Sequence, residues 1–318
     1  MPKKVILDVD TGIDDAVAIL LAVHSPELEV LGIGTVHGNT TADVAAANTL
    51  RVLKAAGRLD IPVATGATRP LNQPLATSPL VHGEDGLGNL NLPHPQAAPS
   101  GEHAVDQIIR LAEAHPGEIT LIATAPLTNL ALALALEPRL SERIAEVVIM
   151  GGSAFYGGNL SAWAEANIGH DPEAAAAVFQ AGWPVTMIGL DVTMQAWFTR
   201  EMHAALGASP KPGAALAYEA LRHYLDFYER FYGQGGCAQH DALAVAYAID
   251  PSLVTTALLP VRIETRGEAT RGMTVVDRRA FLADRAPFLF PDRNDWHTRV
   301  ALAVDSERFL NLLMERLT

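Results

Sequence analysis

Cysteine is almost absent from these 318 residues: Cys237 stands alone, so no disulfide can form within the chain. The cytoplasm is therefore the expected compartment. No apolar run approaches the ~18 residues of a membrane span, so no membrane partner is expected. Met1-Pro2-Lys3-Lys4 leads into only three apolar residues before Asp8, too few for a signal peptide. Positive charge is scarce as well. Lys and Arg number 23 against 36 Asp and Glu, and the net charge of -13 argues against nucleic acid as the partner. Neutral small molecules remain open. No internal repeat, low-complexity tract or linker divides the chain, and one domain spanning residues 1–318 is expected, although that length exceeds the ~250–300 residues at which single cores stop growing.

Hydrophobic residues make up 49% of the chain and charged residues 19%, a globular balance. Short runs at residues 28–36, 119–123, 147–150 and 185–190 are apolar at nearly every position. Strands buried on both faces read that way, as in a parallel sheet. Between them lie helical patterns at 42–56, 104–114, 127–136 and 173–181. The fold class that follows is α/β, an open, mostly parallel sheet with helices on both faces. The tail adds strand-like runs at 259–263, 273–276 and 300–304 and a helix at 306–317.

The stretch Val5-Ile6-Leu7-Asp8-Val9-Asp10-Thr11-Gly12-Ile13-Asp14-Asp15 puts four carboxylates within eight residues behind a buried strand. Thr11-Gly12 reads as a tight turn in which Gly12 takes a positive φ cheaply. Asp14 and Asp15 open a helix, Ala16 to Val23, and capping accounts for them in part. Capping does not account for Asp8 and Asp10. Carboxylates converging at a strand end repel unless a cation lies between them, and oxygen ligands suit a hard divalent ion.

Ligands bind beyond the carboxyl ends of strands in such sheets, so Asp10, Asn39, Thr124 and Met150 should line one crevice. Residues 65–101 form a long loop rich in Pro, Gly and Asn around His82-Gly83-Glu84-Asp85-Gly86, and residues 156–169 form a second. Tyr224, Tyr228 and Tyr232 recur every four residues and share one helical face. Gly233, Gly235 and Gly236 follow, where a hinge is expected. His240-Asp241 then opens a helix over 242–249.

Asp8-Val9-Asp10-Thr11-Gly12-Ile13-Asp14-Asp15 resembles the N-terminal signature of the inosine–uridine nucleoside hydrolases. The resemblance continues through Thr35-Val36-His37-Gly38-Asn39, His82-Gly83, Pro126-Leu127-Thr128-Asn129 and Val148-Ile149-Met150-Gly151-Gly152. It ends with Ala164-Glu165-Ala166-Asn167, Asp171-Pro172-Glu173-Ala174 and His240-Asp241. It implies a Rossmann-like fold, commonly dimeric or tetrameric, and a Ca²⁺ ion held by Asp10, Asp15, Asp241 and the carbonyl of Thr124. It implies ribose contacts from Asp14, Asn39, Met150, Asn159, Glu165, Asn167 and Asp241, with His82, Tyr224 and Tyr228 near the base. Asp10 would activate a water and His240 would protonate the leaving base, with pyrimidine-preferring or non-selective hydrolysis. The sequence departs from the family at the alanine after Thr124, in the loop before Asn159 and in the glycines after Tyr232.

The residue types suit that chemistry. Splitting an N-ribosidic bond needs stabilised positive charge on the sugar, an activated water and a protonated base. His240, with an ordinary pKa of ~6.5, suits proton donation. His24, His94, His103, His115, His203 and His297 are expected to be structural, Asn129 to cap a turn, and Cys237 not to act as a nucleophile. Two other functions compete. Asp8-x-Asp10-x-Gly12 resembles the nucleophile motif of haloacid dehalogenase-like phosphatases, but no lysine occurs between Lys54 and Lys211 to complete one. A non-catalytic nucleoside or ribose receptor would keep the pocket without turnover.

Overall fold

The computed structural model describes residues 1–282, 285, 288 and 298–318. Eight strands form the main sheet: β1 (Lys3–Val9), β2 (Leu28–Thr35), β3 (Val63–Thr65), β4 (Ile119–Ala123), β5 (Ile144–Met150), β6 (Val185–Ile188), and, further along, β9 (Val254–Leu259) and β12 (Thr298–Val304). Between the last three come two antiparallel pairs, β7 (Trp197–Thr199) with β8 (Gly236–Ala238), and β10 (Val261–Ile263) with β11 (Thr274–Val276). The order in the main sheet is β3-β2-β1-β4-β5-β6-β12-β9. Its pairs are parallel except β9 with β12.

Both faces of the sheet are covered. Val5, Leu7 and Val9 enter one core with the helices Ile13–Val23, Ala214–Tyr232 and His240–Ile249, while Ile6 enters the other with Ala104–Ala114 and Thr128–Leu136. Ile122, Val148 and Met150 follow the first group; Leu121, Val147 and Ile149 follow the second. Side chains alternate along a strand, so a strand buried on both faces is apolar at every position. Each such Leu or Ile stabilises the fold by about 1.5–3 kcal/mol. Among the described residues no helix is long and apolar enough to cross a membrane.

The predicted run 259–263 divides at Pro260: Val254–Leu259 joins the main sheet and Val261–Ile263 leaves it for a hairpin partner. Proline lacks the N–H that a continuing ladder needs. Of the glycines after Tyr232, two have a defined structural role. Gly233 (φ 63°) ends the long helix. Gly236 lies in β8, where a Cβ would sit 2.5 Å from the Phe198 carbonyl oxygen, so close strand pairing requires it.

Candidate active site

The chain leaves β1, builds outward through β2 and β3, then returns to place β4 on the other side of β1. The sheet order reverses there, and a crevice opens beyond the carboxyl ends of those two strands. Asp10 follows β1. Its Oδ2 accepts the backbone N–H of Asn39 at 2.6 Å and its Oδ1 accepts Asn39 Nδ2 at 3.0 Å. Asp15 accepts the Gly12 N–H (2.9 Å), the Thr124 hydroxyl (2.8 Å) and Asn39 Nδ2 (3.2 Å). Asp14 accepts the Tyr224 hydroxyl at 3.1 Å. Asp241 arrives from the first turn of His240–Ile249. Gly12 has φ −90°, so the expected positive φ is not why glycine stands there. A Cβ would lie 2.5 Å from His82 Nδ1 and 2.9 Å from Asn39 Nδ2, and both side chains close onto the turn only because it is missing.

These carboxyl groups share one buried volume. Burial, then the charge of Asp15, drives Asp10 well above its ordinary pKa; burial and Asp14 push Asp15 to about 6; burial and the charges of Asp14, Asp15 and Asp10 raise Asp241. Among the described residues no lysine or arginine is one of the largest influences on them. Asp14 Oδ1 and Asp241 Oδ2 have no hydrogen-bond partner. Oxygens of Asp14, Asp15 and Asp241 lie within 4.8 Å of one another. Unpartnered carboxylate oxygens, with His82 Nδ1 already taken by the Ile13 N–H, fit a hard metal ion. The cluster thus includes Asp14, which was expected only as a sugar contact. Asp10 stands beside Asp15, close enough for their carboxyl groups to hydrogen bond.

The flank of the crevice is polar. Asn167 Nδ2 donates to the carbonyls of Thr124 and Met150, 3.0 Å each, tying the ends of β4 and β5 together. Glu165 accepts the N–H groups of Gly152, Asn167 and Ile168 at 2.9, 3.0 and 3.1 Å, yet burial still raises its pKa. Asn159 Oδ1 accepts the Ala166 N–H at 2.9 Å. Asn39, Met150, Asn159, Glu165 and Asn167 all line the same pocket as Asp14 and Asp241.

Opposite stands the helix Ala214–Tyr232. The rings of Tyr224 and Tyr228 meet edge to face at 5.0 Å, and Tyr232 stacks on Tyr228 at 5.0 Å. The Tyr228 hydroxyl lies 2.7 Å from His240 Nε2, and Thr193 Oγ1 lies 2.7 Å from its Nδ1. Burial lowers the pKa of His240, contrary to the ordinary value assumed from the sequence. Burial also pushes His82 down to about 4, and His82 Nδ1 accepts the Ile13 N–H at 3.1 Å. Its 3.8 Å approach to Asp14 is therefore not an ion pair: a nitrogen that accepts an N–H carries no proton.

Asp8 does not join the pocket carboxylates. Asn129 Nδ2 donates to it at 2.8 Å and to the Thr35 carbonyl, while Asn129 Oδ1 accepts the Ala67 N–H. Asn129 thus links three segments and is no turn cap. Burial raises Asp8 to about 7. His24, His94, His103, His115 and His203 each have a local structural partner; His297 lies outside the described residues. Cys237 is buried, and its thiol is pushed above the ordinary range by that burial. Thr193 and the pocket residues Phe227 and Tyr232 were not expected in the site from the sequence, although Tyr232 shares the i, i+4 face.

The family model described as "Inosine-uridine preferring nucleoside hydrolase" matches residues 5–311. An inosine-uridine preferring nucleoside hydrolase of Leishmania major is 43% identical, over 100% of this chain and 98% of its own length. A pyrimidine-specific ribonucleoside hydrolase of Citrobacter koseri is 41% identical, over 100% and 98%. The solved structure of a plant nucleoside hydrolase superposes with a TM-score of 0.93 at 37% identity, over 100% of this chain and 99% of that one. The phosphatase reading falls with these matches. The Rossmann-like sheet, the oxygen-lined crevice and the whole-length similarity converge, and the chain belongs to the inosine-uridine preferring nucleoside hydrolase family as a ribonucleoside hydrolase, a glycosidase.

Proposed function

We propose that this enzyme hydrolyses the N-glycosidic bond of ribonucleosides to free base and ribose, without strong base selection or with a preference for pyrimidines. One observation carries the reading: a single pocket joins the carboxyl groups of Asp14 and Asp241, with Asp15 clustered beside them, to an aromatic wall that ends at His240. Asp10, Asp15, Asp241 and the Thr124 carbonyl would hold Ca²⁺, with Asp14 adjoining. When bound, that ion lowers the pKa of a water and orients sugar hydroxyls.

Asp10 is the base that takes the water's proton. Its two bonds from Asn39 aim the carboxylate at the water. Asp14, Asn39, Met150, Asn159, Glu165, Asn167 and Asp241 hold the ribose. His82, Tyr224 and Tyr228 face the base. The Tyr224 and Tyr228 hydroxyls and His82 Nδ1 are already engaged with Asp14, His240 and the Ile13 N–H, which supports loose selection of the base. The names of the relatives, one inosine-uridine preferring and one pyrimidine-specific, leave the same range. His240 delivers a proton to the departing base with Tyr228 at its side. The proton it gives is taken up from solvent beforehand, so donation returns the ring to the neutral imidazole that its burial favours, while the proton that Asp10 takes from the water passes back to solvent. We place the reaction in one cytoplasmic domain, residues 1–318, of a homodimer or homotetramer. Exposed Phe155 and Phe281, with ring centroids 6.4 Å apart, offer an apolar contact face that supports self-association.

The test compares inosine with a 4-nitrophenyl riboside in wild type and His240→Ala. A positioned acid is worth ~10²–10⁴-fold. Inosine should lose most of that in kcat, while the nitrophenolate departs unaided and loses little. Equal losses on both substrates would reduce His240 to scaffolding. No release of sugar from any nucleoside by wild type would leave a receptor.

A further inference from the structure

The segment that carries His82 contains two asparagines at positive φ, Asn89 (63°) and Asn91 (49°), and several glycines. Such a composition reads as a loose loop, but the segment is knotted. Asp85 accepts the N–H groups of Leu87 (2.9 Å) and Asn89 (2.8 Å) on one oxygen and of Asn91 (2.7 Å) on the other. The Gly88 N–H donates to the His82 carbonyl at 2.8 Å.

One buried side chain anchors this knot to the floor of the site. Asn48, fully buried on the helix Ala42–Ala56, donates Nδ2 to the carbonyls of Thr11 (3.1 Å) and Asp85 (2.9 Å). Its Oδ1 accepts Arg51 Nη1 at 2.6 Å, and the same guanidinium donates to the carbonyls of Leu92 and Pro93, 3.1 Å each, where the segment leaves. Gly86, with φ 78°, lies so close that a Cβ would reach Asn48 Nδ2 at 2.8 Å. Thr11 stands between Asp10 and Gly12, and His82 closes onto the next residues through its bond from the Ile13 N–H. The carboxylate turn and the His82 segment are therefore joined twice, at His82 itself and at Asn48.

We propose that Asn48 is a positioning residue that sets His82 over the Asp10–Asp15 turn. The chemistry of the position calls for an amide. Two carbonyls need donors while an arginine needs an acceptor, and only Asn and Gln carry two donors and an acceptor on one planar group. An apolar residue would leave buried carbonyls unpaired, and a carboxylate would face two carbonyl oxygens. The proposal rests on His82 facing the substrate, as argued above.

A double-mutant cycle on kcat/KM for uridine and inosine tests it, with urea unfolding run on every variant. Asn48→Ala should lower kcat/KM between about tenfold and a hundredfold, the scale of a small misplacement. His82→Ala should lower it too, and the double variant should be no worse than His82→Ala alone, because nothing remains to be placed. Multiplying losses, or an unimpaired Asn48→Ala enzyme beside an impaired His82→Ala enzyme, would overturn the proposal while leaving His82 in the site. An unimpaired His82→Ala enzyme would instead remove His82 from the substrate and the brace's purpose with it. Should Asn48→Ala fail to fold, Gly86→Ala, which crowds the same amide from the loop side, takes its place in the cycle with the same expectation.

Discussion

The floor and the wall of this pocket are built on different principles. The floor is assembled from the ends of β1 and β4 and from helix starts far apart in sequence; both oxygens of Asp10 and of Asp15 are hydrogen-bonded within it, while Asp14 Oδ1 and Asp241 Oδ2 are left unpartnered among the described residues. Asn39 alone bonds Asp10 and Asp15, and Asn167 alone bonds the ends of two strands. The wall is one helix whose rings touch edge to face, with Tyr232 partly open to solvent at 40%. A floor tied to several elements cannot shift one group without shifting others. A wall carried by one helix can change a side chain and leave the rest in place. The difference teaches that tolerance to change should be low at the sugar end and higher at the base end.

The largest effect should come from the floor. Asp10→Asn is expected to abolish nearly all turnover while the far-ultraviolet circular dichroism stays that of wild type. Chelation should do the same to the unaltered enzyme, and Ca²⁺ should restore it. Activity that survives exhaustive chelation, verified by elemental analysis, would break the account of the floor. Next, Asp14→Ala should cost about 10²-fold in kcat on every substrate, since sugar misplacement does not depend on the leaving group. Tyr228→Phe, on the wall, should cost less and should depend on it. It removes the hydroxyl beside His240 and should slow inosine by roughly tenfold, less than the ~10²–10⁴-fold of the acid itself, and a nitrophenyl riboside hardly at all. Equal sensitivity of both substrates to Tyr228→Phe would erase the distinction between floor and wall.

The smallest effect concerns the layer behind the floor. His37 is buried two residues before Asn39, with Nε2 2.9 Å from the Thr128 hydroxyl, which itself donates to Asp171 at 2.7 Å. Thr128 has then spent its proton, so His37 Nε2 is the donor, and the buried Nδ1 has no acceptor among the described residues for a second ring proton. Burial, with His170 adding to it, lowers its pKa from 6.5 to about 4. Between those values the unfolded chain takes a proton that the folded chain refuses. Stability is thus lost as pH falls through that window, by no more than about 1.4 kcal/mol per pH unit. In His37→Gln the urea midpoint should fall less steeply from pH 6.5 to 4 than in wild type. Parallel slopes would show that the imidazole already carries its proton.

Much of this was readable in the chain itself. Four carboxylates within eight residues at a strand end already imply a cation. Runs apolar at every position announce strands covered on both faces, and tyrosines four apart announce a helical face. What was not readable follows one pattern. Asn48, through its two donated bonds, and Thr193 and Asn129 act on partners at least 37 residues away, and nothing local distinguishes them from other polar residues. Gly12 and Gly236 looked like points of backbone freedom. Both are points of close approach, which depend on what arrives from elsewhere.

By itself the sequence determined the layering, the carboxylate turn and the tyrosine face, because periodicity and turn chemistry are local properties with local energies. Only the tertiary structure decided which carboxylates meet. It left Asp8 with Asn129 and drew Asp14 toward Asp241. It also turned His240 from an ordinary imidazole into a neutral one held between two hydroxyls. Burial and the fields of neighbouring charges set those properties, and neither exists until distant segments have packed together.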